Sequence, residues 1–113
     1  IADAIAGIDG ENDRKPLCYM TNCVHPEIVM SALSAACCDC DAVRARFLGI
    51  QCNTSPLSYE ELDGAADLHT SSPEALADAV YALRQKHGLK LFGGCCGTDA
   101  SHLRAMAARL TQN

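Results

Sequence analysis

The chain has 113 residues, 49% of them hydrophobic, with 14 acidic against 9 basic side chains and a formal charge of -5. That length supports one compact layer of core and excludes two domains. The acidic balance, with no basic cluster, excludes a nucleic-acid or anionic-membrane surface and favours small organic partners. No apolar run approaches the roughly 20 residues of a membrane span and no signal-peptide pattern opens the chain, so the expected localisation is cytoplasmic.

Ile1, Ile5 and Ile8 with Ala4 recur at helical spacing, and Gly10 stands where a helix can end. The chain opens on Ile1 without an initiator methionine, which marks it as an expected piece of something longer. Pro16 breaks the polar stretch that follows, and Leu17-Cys18-Tyr19-Met20-Thr21 suits a buried strand stopping at Asn22-Cys23. Pro26 and Glu27 fit the first turn of a helix whose face is Val29, Leu33, Ala36 and Cys37, and which is expected to end within Cys38-Asp39-Cys40-Asp41.

A second strand is expected over residues 46–52. The β-α-β order makes it parallel to the first. Residues 53–70 show no long periodicity beyond a capping box of Ser58 and Glu61 over a short helix at 59–62. So long a connection is usually functional. A clear helix follows Ser71-Ser72-Pro73-Glu74, with Leu76, Ala79, Val80 and Leu83 on one face and Gly88 as its stop. The third strand, residues 89–92, leads into Gly93-Gly94-Cys95-Cys96-Gly97-Thr98 and then a last helix with Leu103, Met106, Ala107 and Leu110 on one face.

The whole reads α, then β-α three times. Right-handed crossovers place every strand's carboxyl end on one side of the sheet, where α/β folds put their sites, and Cys23, Cys52, Cys95 and Cys96 all fall there. Side chains of neighbouring strand residues point to opposite faces, so the thiols of Cys95 and Cys96 meet only if the backbone leaves the strand. Gly93, Gly94 and Gly97 permit that departure, and Thr98 or Asp99 can cap the helix beyond. Converging thiolates suit Zn²⁺; four close the site, whereas three leave a position for a substrate thiol.

Eight cysteines would also suit a secreted disulfide scaffold, but the pairs Cys37-Cys38 and Cys95-Cys96 are poorly spaced for ordinary bridges, and the cysteines lie in or beside apolar runs. Reduced thiols fit better. Cys52 is read as a small core residue in preference to a fourth ligand, Cys18 as core, and Cys37, Cys38 and Cys40 as packing or incidental thiols in preference to an iron-sulfur or copper site. His25 is balanced between touching the site and starting a helix. His69, His87 and His102 read as surface or cap residues, and Glu60, Glu61 and Asp63 as a solvated loop face.

Gly93-Gly94-Cys95-Cys96-Gly97-Thr98 together with Asn22-Cys23 resembles the zinc-dependent homocysteine S-methyltransferase family, which includes betaine-homocysteine methyltransferase and the homocysteine domain of cobalamin-dependent methionine synthase. Tyr59-Glu60-Glu61-Leu62-Asp63-Gly64 also has the look of that family's segment between the motifs. The resemblance implies a (β/α)₈ TIM barrel, of which residues 1–113 would be the C-terminal part carrying strands six to eight. It implies Cys23, Cys95 and Cys96 as the zinc ligands, with Asn22 and Gly94 beside them in substrate-binding or supporting roles. The implied partners are homocysteine and a small-molecule methyl donor: S-methylmethionine, betaine, or a methylated folate or cobalamin.

Three strands cut from an eight-stranded barrel leave open edges and a bare apolar face, so the isolated chain is expected to be oligomeric or aggregation-prone and catalytically inactive. The alternative function is a noncatalytic zinc-binding α/β module with a closed cysteine site.

Overall fold

The computed structural model describes residues 1–55 and 71–112. The expected capping box of Ser58 and Glu61, the segment from Tyr59 to Gly64 with its acidic group, and His69 lie outside the described residues. In chain order the elements are α1 (Ala2–Glu11), β1 (Tyr19–Val24), α2 (Pro26–Ser34), a single 3₁₀ turn (Ala36–Cys38), α3 (Asp41–Arg46), β2 (Phe47–Cys52), α4 (Pro73–His87), β3 (Leu91–Gly94) and α5 (Ala100–Thr111). The three strands form one parallel sheet in the order β1-β2-β3, as the alternation of strands and helices requires.

Helices cover one face of this sheet. Phe47, Ile50 and Cys52 of β2 meet Val29 and Leu33 of α2, Leu76, Val80 and Leu83 of α4, and Met106 of α5 in a single core. Ile50, Cys52, Leu76, Val80 and Leu83 are fully buried, each large aliphatic side chain contributing about 1.5–3 kcal/mol. The opposite face carries Met20, Gly49 and Leu91 in one register row and Asn22, Gln51 and Gly93 in the next. Met20 is 47% exposed and Leu91 46%, so no layer of described residues packs over this face. Gly49 is required between them. A Cβ there would lie 2.9 Å from that of Met20 and 3.0 Å from that of Leu91.

Helix α4 matches its sequence signals at both ends: the Ser72 hydroxyl accepts the Ala75 N–H, and Gly88 takes φ 72° to close the last turn. Other expectations need correction. Helix α2 stops at Ser34, and the 3₁₀ turn that follows buries Cys38 and leaves Cys37 exposed, the reverse of the expected face. The continuous helix expected there is broken before a separate short helix, α3. On α5, Leu103 is 48% exposed and Ala107 also faces outward; His102 and Met106 are buried, with Ala105 packed beside them. The stripe is rotated because α5 packs on α4, where the Arg109 guanidinium lies 3.9 Å from the centre of the Tyr81 ring and bonds Asp78 at 3.0 Å.

Of the α1 stripe only Ile5 is buried, and the helix passes through Gly10 to Glu11. Asp9 anchors this helix to the sheet by pairing with Arg46 at 3.0 Å and accepting the Tyr19 hydroxyl at 2.7 Å. Strand β1 begins at Tyr19, so Cys18 precedes the strand and is half-buried.

Candidate metal centre

The sulfurs of Cys23, Cys95 and Cys96 lie within 4.8 Å of one another. They arrive by two departures from regular structure. In β1, Asn22 pairs with Gln51 and Val24 with Cys52, which leaves Cys23 as the extra residue of a bulge. Its φ of 54° makes it the only residue other than glycine with positive φ among those described. Such a conformation costs roughly 1–2 kcal/mol for a side-chain-bearing residue, and here it accompanies a thiol 2.7 Å from that of Cys95.

Strand β3 ends at Gly94, and Cys95 to Thr98 form a turn closed by the Thr98 N–H and hydroxyl, both donating to the Cys95 carbonyl at 3.2 and 2.8 Å. Gly97 takes φ 80° at the turn position where left-handed backbone is needed, and a Cβ there would overlap the Thr54 side chain. Gly93 and Gly94, contrary to expectation, keep φ values open to any residue. Gly94 is small for a different reason, since a Cβ would run into Thr98. At Gly93 an added Cβ would make only ordinary contact, 3.6 Å from Gln51, and nothing in the structure explains the glycine.

The thiols of Cys23 and Cys95 are hydrogen-bonded to each other. Their hydrogen bond pushes Cys23 up to about 11 and draws Cys95 below the usual thiol range. A cation held by both sulfurs would take the place of the thiol proton between them. Cys52, by contrast, is fully buried among the core residues, where desolvation pushes its thiol up to about 12. It lies outside the sulfur triad. Gly94 pairs with Cys52 at the end of β3. Asn22 is exposed on β1, opposite Gln51, and bonds no other described side chain.

Behind the triad, the segment after β2 ties the parts together. The Cys95 N–H donates to the Cys52 carbonyl at 2.7 Å, and the Thr54 N–H to that of Cys96 at 3.1 Å. The Asn53 side-chain oxygen accepts the Cys96 N–H at 3.1 Å, and the Asn53 N–H donates to Val24 at 2.9 Å.

Ser71 braces the helix starts. Its hydroxyl lies 2.9 Å from Nε2 of His25, and its carbonyl 3.2 Å from Nε2 of His102. Because Nδ1 of His25 accepts the Glu27 N–H, its Nε2 carries the proton and donates to Ser71. Burial holds His25 below the ordinary histidine range. His25 is thus the cap of α2, and His102 is buried as part of the capping box with Asp99. Sequence reasoning passed over Asn53, Thr54 and Ser71; the signal available for the first two was their place just beyond a strand's carboxyl end.

Fold and sulfur triad together define an α/β protein with three thiols gathered at the carboxyl ends of parallel strands. Residues 1–110 match the model of the homocysteine S-methyltransferase family, and the chain belongs to that family. It is 47% identical over 36 residues to a methionine synthase of Mycobacterium tuberculosis, a stretch covering 32% of this chain and 3% of that protein. With a methionine synthase of Mycobacterium leprae it shares 42% identity over 40 residues, 35% of this chain and 3% of the relative. The matched stretches are thus a small fraction of those proteins. No solved structure matches. Among the described residues no helix is long and apolar enough to cross a membrane.

Proposed function

We propose that residues 1–113 are the C-terminal part of a (β/α)₈ barrel, strands six to eight, and that Cys23, Cys95 and Cys96 hold zinc for methyl transfer to homocysteine in the complete protein. The observation that carries this reading is the convergence of three sulfurs from two strand ends far apart in sequence. The barrel is supported by the one-sided sheet. Parallel sheets are ordinarily covered on both faces or closed on themselves, and the row Met20, Gly49 and Leu91 suits a closed interior.

A zinc ion bound there would supply a Lewis-acid centre that favours the ionised thiol of homocysteine near neutral pH. The chain's own residues prepare that centre: the bulge at Cys23 and the turn at Gly97 aim the sulfurs, and Asn22 and Gly94 border them. The homocysteine sulfur then forms a bond to the methyl carbon as the donor's bond breaks, its electron pair leaving with the donor, to give methionine. All eight cysteines are free, as a cytoplasmic setting would keep them. The open sheet face supports association of the isolated chain.

X-ray absorption of the zinc-loaded complete protein tests the assignment. Three protein sulfurs, joined by a fourth when homocysteine is added, is the expected result. Four protein sulfurs without substrate would establish the closed module instead, although Cys52 lies in the core and outside the triad.

A further inference from the structure

We propose that Cys37 and Cys38 form a site of reversible oxidation, in which a small hydroperoxide oxidises the exposed Cys37 thiol and the buried Cys38 thiol closes a disulfide onto it. Their sulfurs lie 3.9 Å apart on the 3₁₀ turn Ala36–Cys38. This pair sits beside Phe47, where β2 begins, whereas the sulfur triad lies beyond the strands' carboxyl ends. The three-ligand group among the described residues is Cys23, Cys95 and Cys96, so the thiols of the turn are placed for redox chemistry and not for a three-sulfur metal shell.

Exposure assigns the two roles. Outside the triad Cys37 is the only exposed cysteine: Cys18 and Cys40 are half-buried, and Cys38 and Cys52 are buried. Burial and the contact with Cys37 push the Cys38 thiol up, so it stays protonated while the solvent-facing thiol reacts first. The Cys37 thiolate attacks the hydroperoxide, an S–O bond forms as the O–O bond breaks, and the departing alkoxide or hydroxide takes up a proton to leave as alcohol or water. Cys37 is then a sulfenic acid. The Cys38 sulfur attacks that of Cys37, the S–O bond breaks, and the hydroxide leaves as water with the Cys38 proton. Two thiols have lost two electrons, and the hydroperoxide has gained them.

The surroundings let Cys38 turn toward its neighbour. Its side chain walls a cavity of about 450 Å³ bounded also by Leu33, Val43, Phe47, Arg44 and Lys86, so it is buried without being enclosed on every side. Adjacent Cα atoms lie about 3.8 Å apart, short of the roughly 4.4–6.8 Å of ordinary bridges. A disulfide here is therefore strained and yields readily to reducing thiols, which makes the modification reversible. Forming it draws the Cys38 sulfur away from the core in which it packs.

The test treats the complete protein, in excess zinc, with an equimolar amount of hydrogen peroxide, blocks the remaining thiols and maps the modified cysteines by mass spectrometry. The expected product is a mass lower by two hydrogens, placed by fragmentation at Cys37-Cys38 and restored by a reducing dithiol. Cys38→Ala should stop at the sulfenic acid of Cys37, captured by a carbon nucleophile such as dimedone, and Cys37→Ser should leave Cys38 unmodified. A Cys37 thiol left intact while other cysteines are oxidised overturns the inference. A bridge from Cys37 to Cys40, or a sulfenic acid that persists at Cys37 in the unaltered protein, overturns the role of Cys38. If Cys38→Ala does not fold, the map of the unaltered protein decides by itself. The map reads Cys37 and Cys38 directly, so it stands whether or not the triad retains zinc.

Discussion

Two groups of three cysteines occupy this small molecule, and they differ in how their sulfurs are brought together. Cys37, Cys38 and Cys40 are neighbours in sequence, yet the 3₁₀ turn directs Cys38 into the core and leaves Cys37 outside, with their sulfurs 3.9 Å apart. Among the described residues they do not complete a three-ligand group. Cys23 and Cys95 are separated by 72 positions, but parallel pairing brings both to the carboxyl side of the sheet. Proximity along the chain supplied thiols; topology, a bulge and a glycine turn supplied a site.

The sharpest way to break this contrast is to replace one sulfur of the distant group. Cys95→Ser or Cys96→Ser in the complete protein should abolish zinc retention and methyl transfer together, because a hydroxyl is a poor soft-metal ligand. Metal analysis and a homocysteine methylation assay check this, and full activity in either variant would remove the assignment. Next in size is Gly97→Ala, which forces a side chain into left-handed backbone and against Thr54. A loss of about 1–2 kcal/mol from the conformation alone, before the steric overlap, should appear as a lower unfolding midpoint and weaker zinc binding.

Cys52→Ala should leave zinc stoichiometry unchanged while lowering stability by about 1 kcal/mol through lost packing. Its pH dependence is a second check. The folded thiol is held up to about 12 by burial, whereas an unfolded cysteine ionises near about 8.5. The unfolded chain therefore loses its proton first as pH rises. The contribution of Cys52 is full below about 8.5 and declines toward 12, and Cys52→Ala should flatten that part of a stability–pH profile. The smallest effect is expected at Cys37. Its exposed thiol can become serine with a stability change within about 0.5 kcal/mol and no change in bound zinc, measurable by denaturant titration and metal analysis.

The family resemblance singled out three of the four strand-end cysteines; sequence by itself determined the alternation of strands and helices and the limits of α4. These rest on local causes: Ser72 and Gly88 punctuate a helix wherever it packs, and runs such as Phe47-Leu48-Gly49-Ile50 form buried strands. Tertiary structure decided which face of α5 is buried, because its packing on α4 turns His102 inward and Leu103 outward. It also decided that Gly94 makes room for Thr98 while Gly97 supplies the turn. Asn53 acquires its place only when β1 and β3 flank β2, since its two hydrogen-bond partners come from the neighbouring strands' ends. Periodicity and capping act over a few residues, whereas these contacts depend on which distant segments the sheet places side by side.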